Sequence, residues 1–317
     1  MEKILTVSPS PHARAKHTTK SIMYDVIIAL IPALLAGILF FGLRALWVTL
    51  LSVVCCVGWE WLWQKIFKKD STIKDLSAVV TGLLLAFNLP PEIPFFIVIV
   101  GSFVAIILAK QIFGGIGQNF INPALAARAF LLAAYPQAVA TFTAPTGLSG
   151  IDAVTTATPL ALIKAGNYNE LPSMLDAFIG NIGGCIGEVS ALALLLGAAY
   201  LLIKGVIRWH IPVFYLGSLF LVTALCGGQG IEMSFYSLFL GGAMLGALFM
   251  ATDYTTSPMT VKGQIIFAIS AGVLAAIIRL FGGYPEGVSY SLLIMNLTVP
   301  LIDRYVKTKR FGGGKKA

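Results

Sequence analysis

Charged side chains inside apolar runs and a hydroxyl-dense loop are the parts of this sequence with groups capable of chemistry. Arg128 and Glu188 fall within apolar segments, where a charge must pair, hold a ligand or line a path. Arg128 follows Asn122-Pro123 and is open to two uses, a phosphate contact or an ion pair with Glu188. Glu60, Asp253 and Asp25 lie near the ends of apolar runs, so each is either an interfacial carboxylate or a group on an ion path. Asn119, Asn122 and Asn181 carry amides that hydrocarbon does not tolerate unbonded. Gly114, Gly115 and Gly117, with Gly180, Gly183, Gly184 and Gly187, let backbone approach a flat ligand or equally let helices pack closely. The loop segment Asp152-Ala-Val-Thr-Thr-Ala-Thr158 is different in kind. It presents several hydroxyls, and Pro159 biases Thr158 toward extended backbone. On its own, such a segment reads most simply as a solvated loop.

The elements that must position these groups are membrane helices. The 317 residues are 57% hydrophobic and 11% charged, with mean hydropathy +0.87, against roughly 25% charged in a soluble domain. Apolar runs are expected to span 22–41, 45–67, 75–89, 93–112, 121–135, 187–204, 209–226, 234–251, 262–281 and 287–306. The third and fifth are short, and the Pro, Gly and Asn residues beside them predict helices broken around an interior site. The reading is an all-α polytopic membrane protein of about ten transmembrane helices.

Lys and Arg mark cytoplasmic loops. With the N-terminus inside, the cations from Lys3 to Lys20, Lys65 to Lys74, Lys110, Lys204, Arg208, Lys262 and the tail from Arg304 onward all fall on the cytoplasmic side. Arg44, Lys164 and Arg279 fall outside, and Arg128 lies within the fifth span. Both termini are therefore expected in the cytoplasm and the 136–186 loop outside. Segment 1–20 reads as a cytosolic arm without a removable signal peptide, 21–135 and 187–306 as two five-helix repeats, and 307–317 as a basic tail.

TGLLLAFNLPPEIP (81–94) resembles GAMLGALFMATDYTTSP (242–258), and FGGIGQNF (113–120) parallels FGGYPEGVSY (281–290). An odd number of spans per repeat makes the two repeats inverted. The likeness is also what convergent small-residue packing would give. The net charge of +8 sits between apolar runs, which argues for membrane orientation and against nucleic acid. Cys55, Cys56, Cys185 and Cys226 have no C-x-x-C spacing and His12, His17 and His210 lie in basic segments, so no metal site is expected. Trp47, Trp59, Trp61, Trp63 and Trp209 near span ends fit an interfacial aromatic belt.

Asp152–Thr158 resembles the flavinylation signature Asp-x-x-Ser/Thr-Gly-Ala-Thr, whose last threonine is esterified to the phosphate of FMN by a dedicated transferase. Thr156 stands where that pattern has glycine, so either a small polar residue is tolerated or Thr155 or Thr156 takes part differently. SPSPH (8–12), GGIGQNFINPAL (114–125), DAVTTATPL (152–160), GNIGGCIGEVS (180–190) and GGAMLGALFMATDYTTSPMT (241–260) together resemble the D-type membrane component of the Rnf complex. That family is itself similar to the B-type component of the sodium-pumping NADH:quinone oxidoreductase.

The resemblance implies a bacterial inner-membrane subunit of the ion-translocating ferredoxin:NAD+ oxidoreductase, coupled to Na+ or H+ and without catalytic activity of its own. It implies covalent FMN on Thr158, with Asp152, Thr155, Thr156 and Ala157 around it. A second noncovalent flavin such as riboflavin is also implied. Arg128, Asn119, Asn122, Gly114 and Gly115 are the further candidate flavin contacts. Expected partners are the A, B, C, E and G components of the Rnf complex, the flavin transferase and membrane lipid. With no G-x-G-x-x-G after a strand and no cysteine cluster, NADH and iron–sulfur chemistry belongs to other subunits. The rival reading is a channel or transporter of small solutes with a urea-transporter-like inverted repeat, and a third is an assembly scaffold.

Overall fold

The computed structural model describes residues 18–145, 147, 155–228, 230–283 and 286–307. Helix α1 (Thr19–Phe41) starts where the Thr18 side chain accepts the Ser21 N–H, and it ends at Gly42, whose φ of 71° turns the chain directly into α2 (Leu43–Ile66). Ala29, Leu30, Ala33 and Gly37 of α1 face the interior, while Ile31, Leu35 and Leu39 are exposed at four-residue spacing. A helix apolar on both its buried and its exposed faces is built for lipid rather than water. With α13 (Val261–Phe281), α1 and α2 are long and apolar enough to cross a membrane, at 21 to 24 residues each.

The remaining long elements are shorter or interrupted. Helix α3 (Ser77–Phe87) has 11 residues and α5 (Pro123–Ala134) has 12, the two short spans expected from the sequence. Between them α4 (Phe95–Phe103) runs on as a π-helical turn through Gln111. After the 136–186 loop come α9 (Ala191–Ile203), α10 (His210–Cys226), α13 and α14 (Val288–Tyr305). The run 234–251, expected as one span, is divided. Helix α11 (Gly230–Tyr236) stops, and α12 (Ala243–Leu245) resumes after Gly241-Gly242 as a short turn continuing in π form to Met250. Gly241 takes φ 60°, and a β-carbon on Gly242 would lie 2.8 Å from Glu188 Oε1, so this backbone must stay bare to reach the buried carboxylate.

The loop is folded. It contains α6 (Pro136–Ala140), α7 (Pro159–Ala165) and α8 (Met174–Ile179), with β1 (Phe142–Thr143) antiparallel to β2 (Thr155–Thr156). Asn88-Leu89-Pro90 ends α3, leaving carbonyls that its own helix cannot satisfy. The segment before α9 supplies the donors: Gly187 N–H reaches Phe87 O at 3.1 Å and Ile186 N–H reaches Leu89 O at 3.0 Å. Irregular backbone at this depth is thus bonded to protein. At the start of α5 the Asn122 N–H donates to Asn296, with that amide turned so its nitrogen donates to Thr256 O and Leu292 O. One core runs through both halves, from Leu30 and Phe87 to Phe267 and Leu292.

Candidate functional site

Arg128 is the hub of a buried polar cluster where the broken elements meet. It lies on the inward face of α5 and is 6% exposed. Its guanidinium donates to Asn88 Oδ1 at 2.5 Å and to the carboxylates of Glu188 and Glu286. Cys185 stands beside it, Sγ 3.9 Å from Nη2, and its thiol donates to the Asn88 carbonyl at 3.4 Å. The pair with Glu188 is one of the two uses the sequence left open for Arg128. Glu286 is a partner the sequence did not single out, since a carboxylate between apolar runs looks ordinary. Two carboxylates share one guanidinium, and Glu188 Oε2 is buried with no hydrogen bond.

Thr158 sits next to this cluster. Its φ of −66° and ψ of 149° are the extended geometry that Pro159 imposes, and Oγ1 accepts the Ala161 N–H at 3.2 Å to cap α7. The residue is 8% exposed, more enclosed than a freely accessible hydroxyl. It lines a small cavity with Gly183, Gly184, Glu188, Gly241 and Glu286. Thr155 and Thr156 are exposed on β2, and β1 fixes their register. Thr156 and Ala157 line a neighbouring open cleft with Asn181 and Gly183. A β-carbon on Gly183 would lie 2.8 Å from Thr156 Oγ1. Asp152 lies outside the described residues. Asn181, expected in hydrocarbon, is instead exposed and bonded to Asp176; hydrogen bonds from Ser173 and Asn181 hold that carboxyl below the usual range.

At the opposite ends of α3 and α5 lies a cavity lined by Thr81, Lys110, Asn119, Asn122, Phe249 and Asp253 among others. Asn119 Nδ2 donates to Ile121 O and Thr255 Oγ1 at 3.1 and 3.2 Å. Asn122 spends its side-chain oxygen on the N–H groups of Ala124 and Leu125. Val26, Leu84, Ile207 and Phe249 share its walls with these polar groups, the mixture of apolar surface and orienting polar atoms that a ligand site uses. Gly114 and Gly115, at φ 118° and 97°, form the tight turn closing the π-helix, and their neighbour Ile116 lines the cavity in their place.

Lys110, expected among solvated cytoplasmic charges, is 3% exposed. The wide π turn carries it inward, where Nζ donates to Glu60 Oε2 at 2.7 Å and Ser77 Oγ at 2.6 Å. Glu60 is fully buried, and Thr72 and Gln64 donate to its other oxygen. Arg279, at the end of α13, is also buried and donates to the carbonyls of Ser237 and Leu240.

The model of the NQR2, RnfD, RnfE family matches residues 6–312. The chain is 56% identical over 310 residues to the D component of the Na+-translocating ferredoxin:NAD+ oxidoreductase complex of Acetobacterium woodii, covering 97% of this chain and 95% of that one. It is 44% identical over 322 residues to the D component of the proton-translocating ferredoxin:NAD+ oxidoreductase complex of Clostridium ljungdahlii, covering 98% and 97%. The D component of the ion-translocating oxidoreductase complex of Aliivibrio salmonicida is 36% identical over 346 residues, covering 98% and 99%. With matches of this extent along nearly its whole length, the chain belongs to the NQR2, RnfD, RnfE family.

Proposed function

We propose that this chain is a membrane subunit of an ion-translocating ferredoxin:NAD+ oxidoreductase complex and carries FMN in phosphodiester linkage to Thr158. The observation that carries the flavin assignment is the setting of Thr158: extended backbone, pinned by β2 on one side and α7 on the other, with an open cleft along Thr156 and Ala157 and a small cavity at Thr158 itself. Glycine at 183 and 184 and alanine at 157 keep side chains out of that space. The bound flavin would supply electron acceptance and donation, which the protein side chains lack. Thr158 would tether it, the β1–β2 ribbon would fix the tether, and the Arg128 cluster would set the charge beneath it.

The cavity bearing Asn119 and Asn122 fits a second, noncovalent flavin, with Asn119 as the orienting amide. The chain would cross a bacterial inner membrane about ten times as two inverted five-helix repeats, 21–135 and 187–306. Support comes from α1 packing on α9, α5 packing on α14, and the breaks at the ends of α3 and α12. Both termini would lie in the cytoplasm and 136–186 outside, the side on which the transferase would act. Because Thr158 is enclosed, esterification would precede docking of this loop onto the Arg128 cluster. The A, B, C, E and G components of the complex would be its partners.

The test is coexpression with the flavin transferase, followed by a denaturing gel viewed under ultraviolet light. A fluorescent band that disappears in Thr158→Ala supports the assignment. Absence of the band, as a solute channel would give, or its persistence in the alanine variant, refutes it.

A further inference from the structure

From buried Glu188 and half-buried Glu286 we infer a monovalent-cation site, for Na+ or H+, whose protein ligands are these two carboxylates and which closes against Thr158. A guanidinium carries one positive charge, and Arg128 contacts two carboxylates, so the contact set holds one negative charge in excess. Glu188 is 3% exposed, its Oε2 accepts no hydrogen bond, and it lines the small cavity at Thr158 together with Glu286. A buried carboxylate oxygen left bare is costly, and a cation or proton in that cavity relieves it.

None of the other groups facing the pair bonds the bare Glu188 oxygen. Cys185 donates its thiol to the Asn88 carbonyl. Asn88 turns its carbonyl oxygen to Arg128 and its amide nitrogen to Leu84 O. Arg279, the next cation, interacts with both carboxylates electrostatically, but its donors are turned to the carbonyls of Ser237 and Leu240. A phosphodiester on Thr158 would add a further negative charge to the same cavity. This last link rests on the flavin reading, whereas the protein ligands stand without it. Relatives named as Na+-translocating and as proton-translocating leave both ions chemically open.

The test uses the full chain coexpressed with the flavin transferase and purified in micelles, with thermal unfolding followed by tryptophan fluorescence. Na+ is varied against choline at fixed ionic strength, and pH is varied from about 6 to 9 without Na+. A ligand held only by the folded state raises the midpoint with its concentration, so a Na+ site gives a rise with Na+. A proton site gives a rise as pH falls, because the folded state then binds more protons than the unfolded one. In either arm Glu188→Gln removes the response, and without cation it unfolds no earlier than the parent, because Arg128 and Glu286 then balance. Structural damage alone would instead lower the midpoint. A parent protein insensitive to both Na+ and pH, a Glu188→Gln variant that keeps the response, or one that unfolds earlier overturns the site. The flavin band of each sample reports the attachment separately, so a cation response without a band sinks only the Thr158 reading.

Discussion

Gly187 and Phe87 touch so closely that a β-carbon on residue 187 would stand 2.1 Å from Phe87 Cγ, while the Gly187 N–H donates to the Phe87 carbonyl at 3.1 Å. This contact joins the broken end of α3 to the segment leading into α9, and the Arg128 cluster is assembled on it. Gly187→Ala must push the two segments apart. Overpacking of this kind costs about 1–3 kcal/mol. A lowered unfolding midpoint in micelles is expected, and an unchanged one would mean that the contact is loose.

Arg128→Met leaves buried Glu188 and half-buried Glu286 without their cation. Breaking a buried ion pair on one side costs about 3–5 kcal/mol. The double variant Arg128→Met, Glu188→Gln should recover part of that loss. A double variant no more stable than the single one would show that packing of the arginine, rather than its charge, holds the cluster together.

Lys110→Met should be as damaging at the other end of α3, because Glu60 is fully buried and loses its ion-pair partner. Adding Glu60→Gln should restore stability, and the cycle gives the coupling directly. If Lys110 were a solvated loop charge, the single variant would change stability by no more than about 0.5 kcal/mol.

Asn122→Ala removes the oxygen that accepts the N–H groups of Ala124 and Leu125. Loss of an N-cap costs about 0.5–2 kcal/mol. Asn119→Ala, by contrast, should leave stability closer to the parent and lower noncovalent flavin retention on purification. Equal flavin loss from both variants, in proportion to destabilisation, would assign Asn119 a structural role only.

Much of this was legible in the sequence because hydrocarbon constrains composition so strongly. Long apolar runs marked α1, α2 and α13, and Asn-Leu-Pro-Pro and Asn-Pro marked the breaks beside α3 and α5. Pro159 foretold the extended backbone of Thr158. What could not be read depended on contacts distant along the chain. Lys110 and Glu60 lie 50 residues apart and meet because a π turn rotates the lysine inward, which no periodicity announces. Glu286 lies 158 residues from Arg128. The division of 234–251 at Gly241-Gly242 follows from the need to approach Glu188, a tertiary demand on a segment whose composition alone suits one helix.

The most direct measurement is mass spectrometry of the 136–186 peptide from the purified native complex, with fragmentation to locate any added group. An FMN phosphodiester on the Thr158 side chain is the expected result. Recovery of that peptide at its unmodified mass, or with the adduct on Thr155 or Thr156, would contradict the assignment.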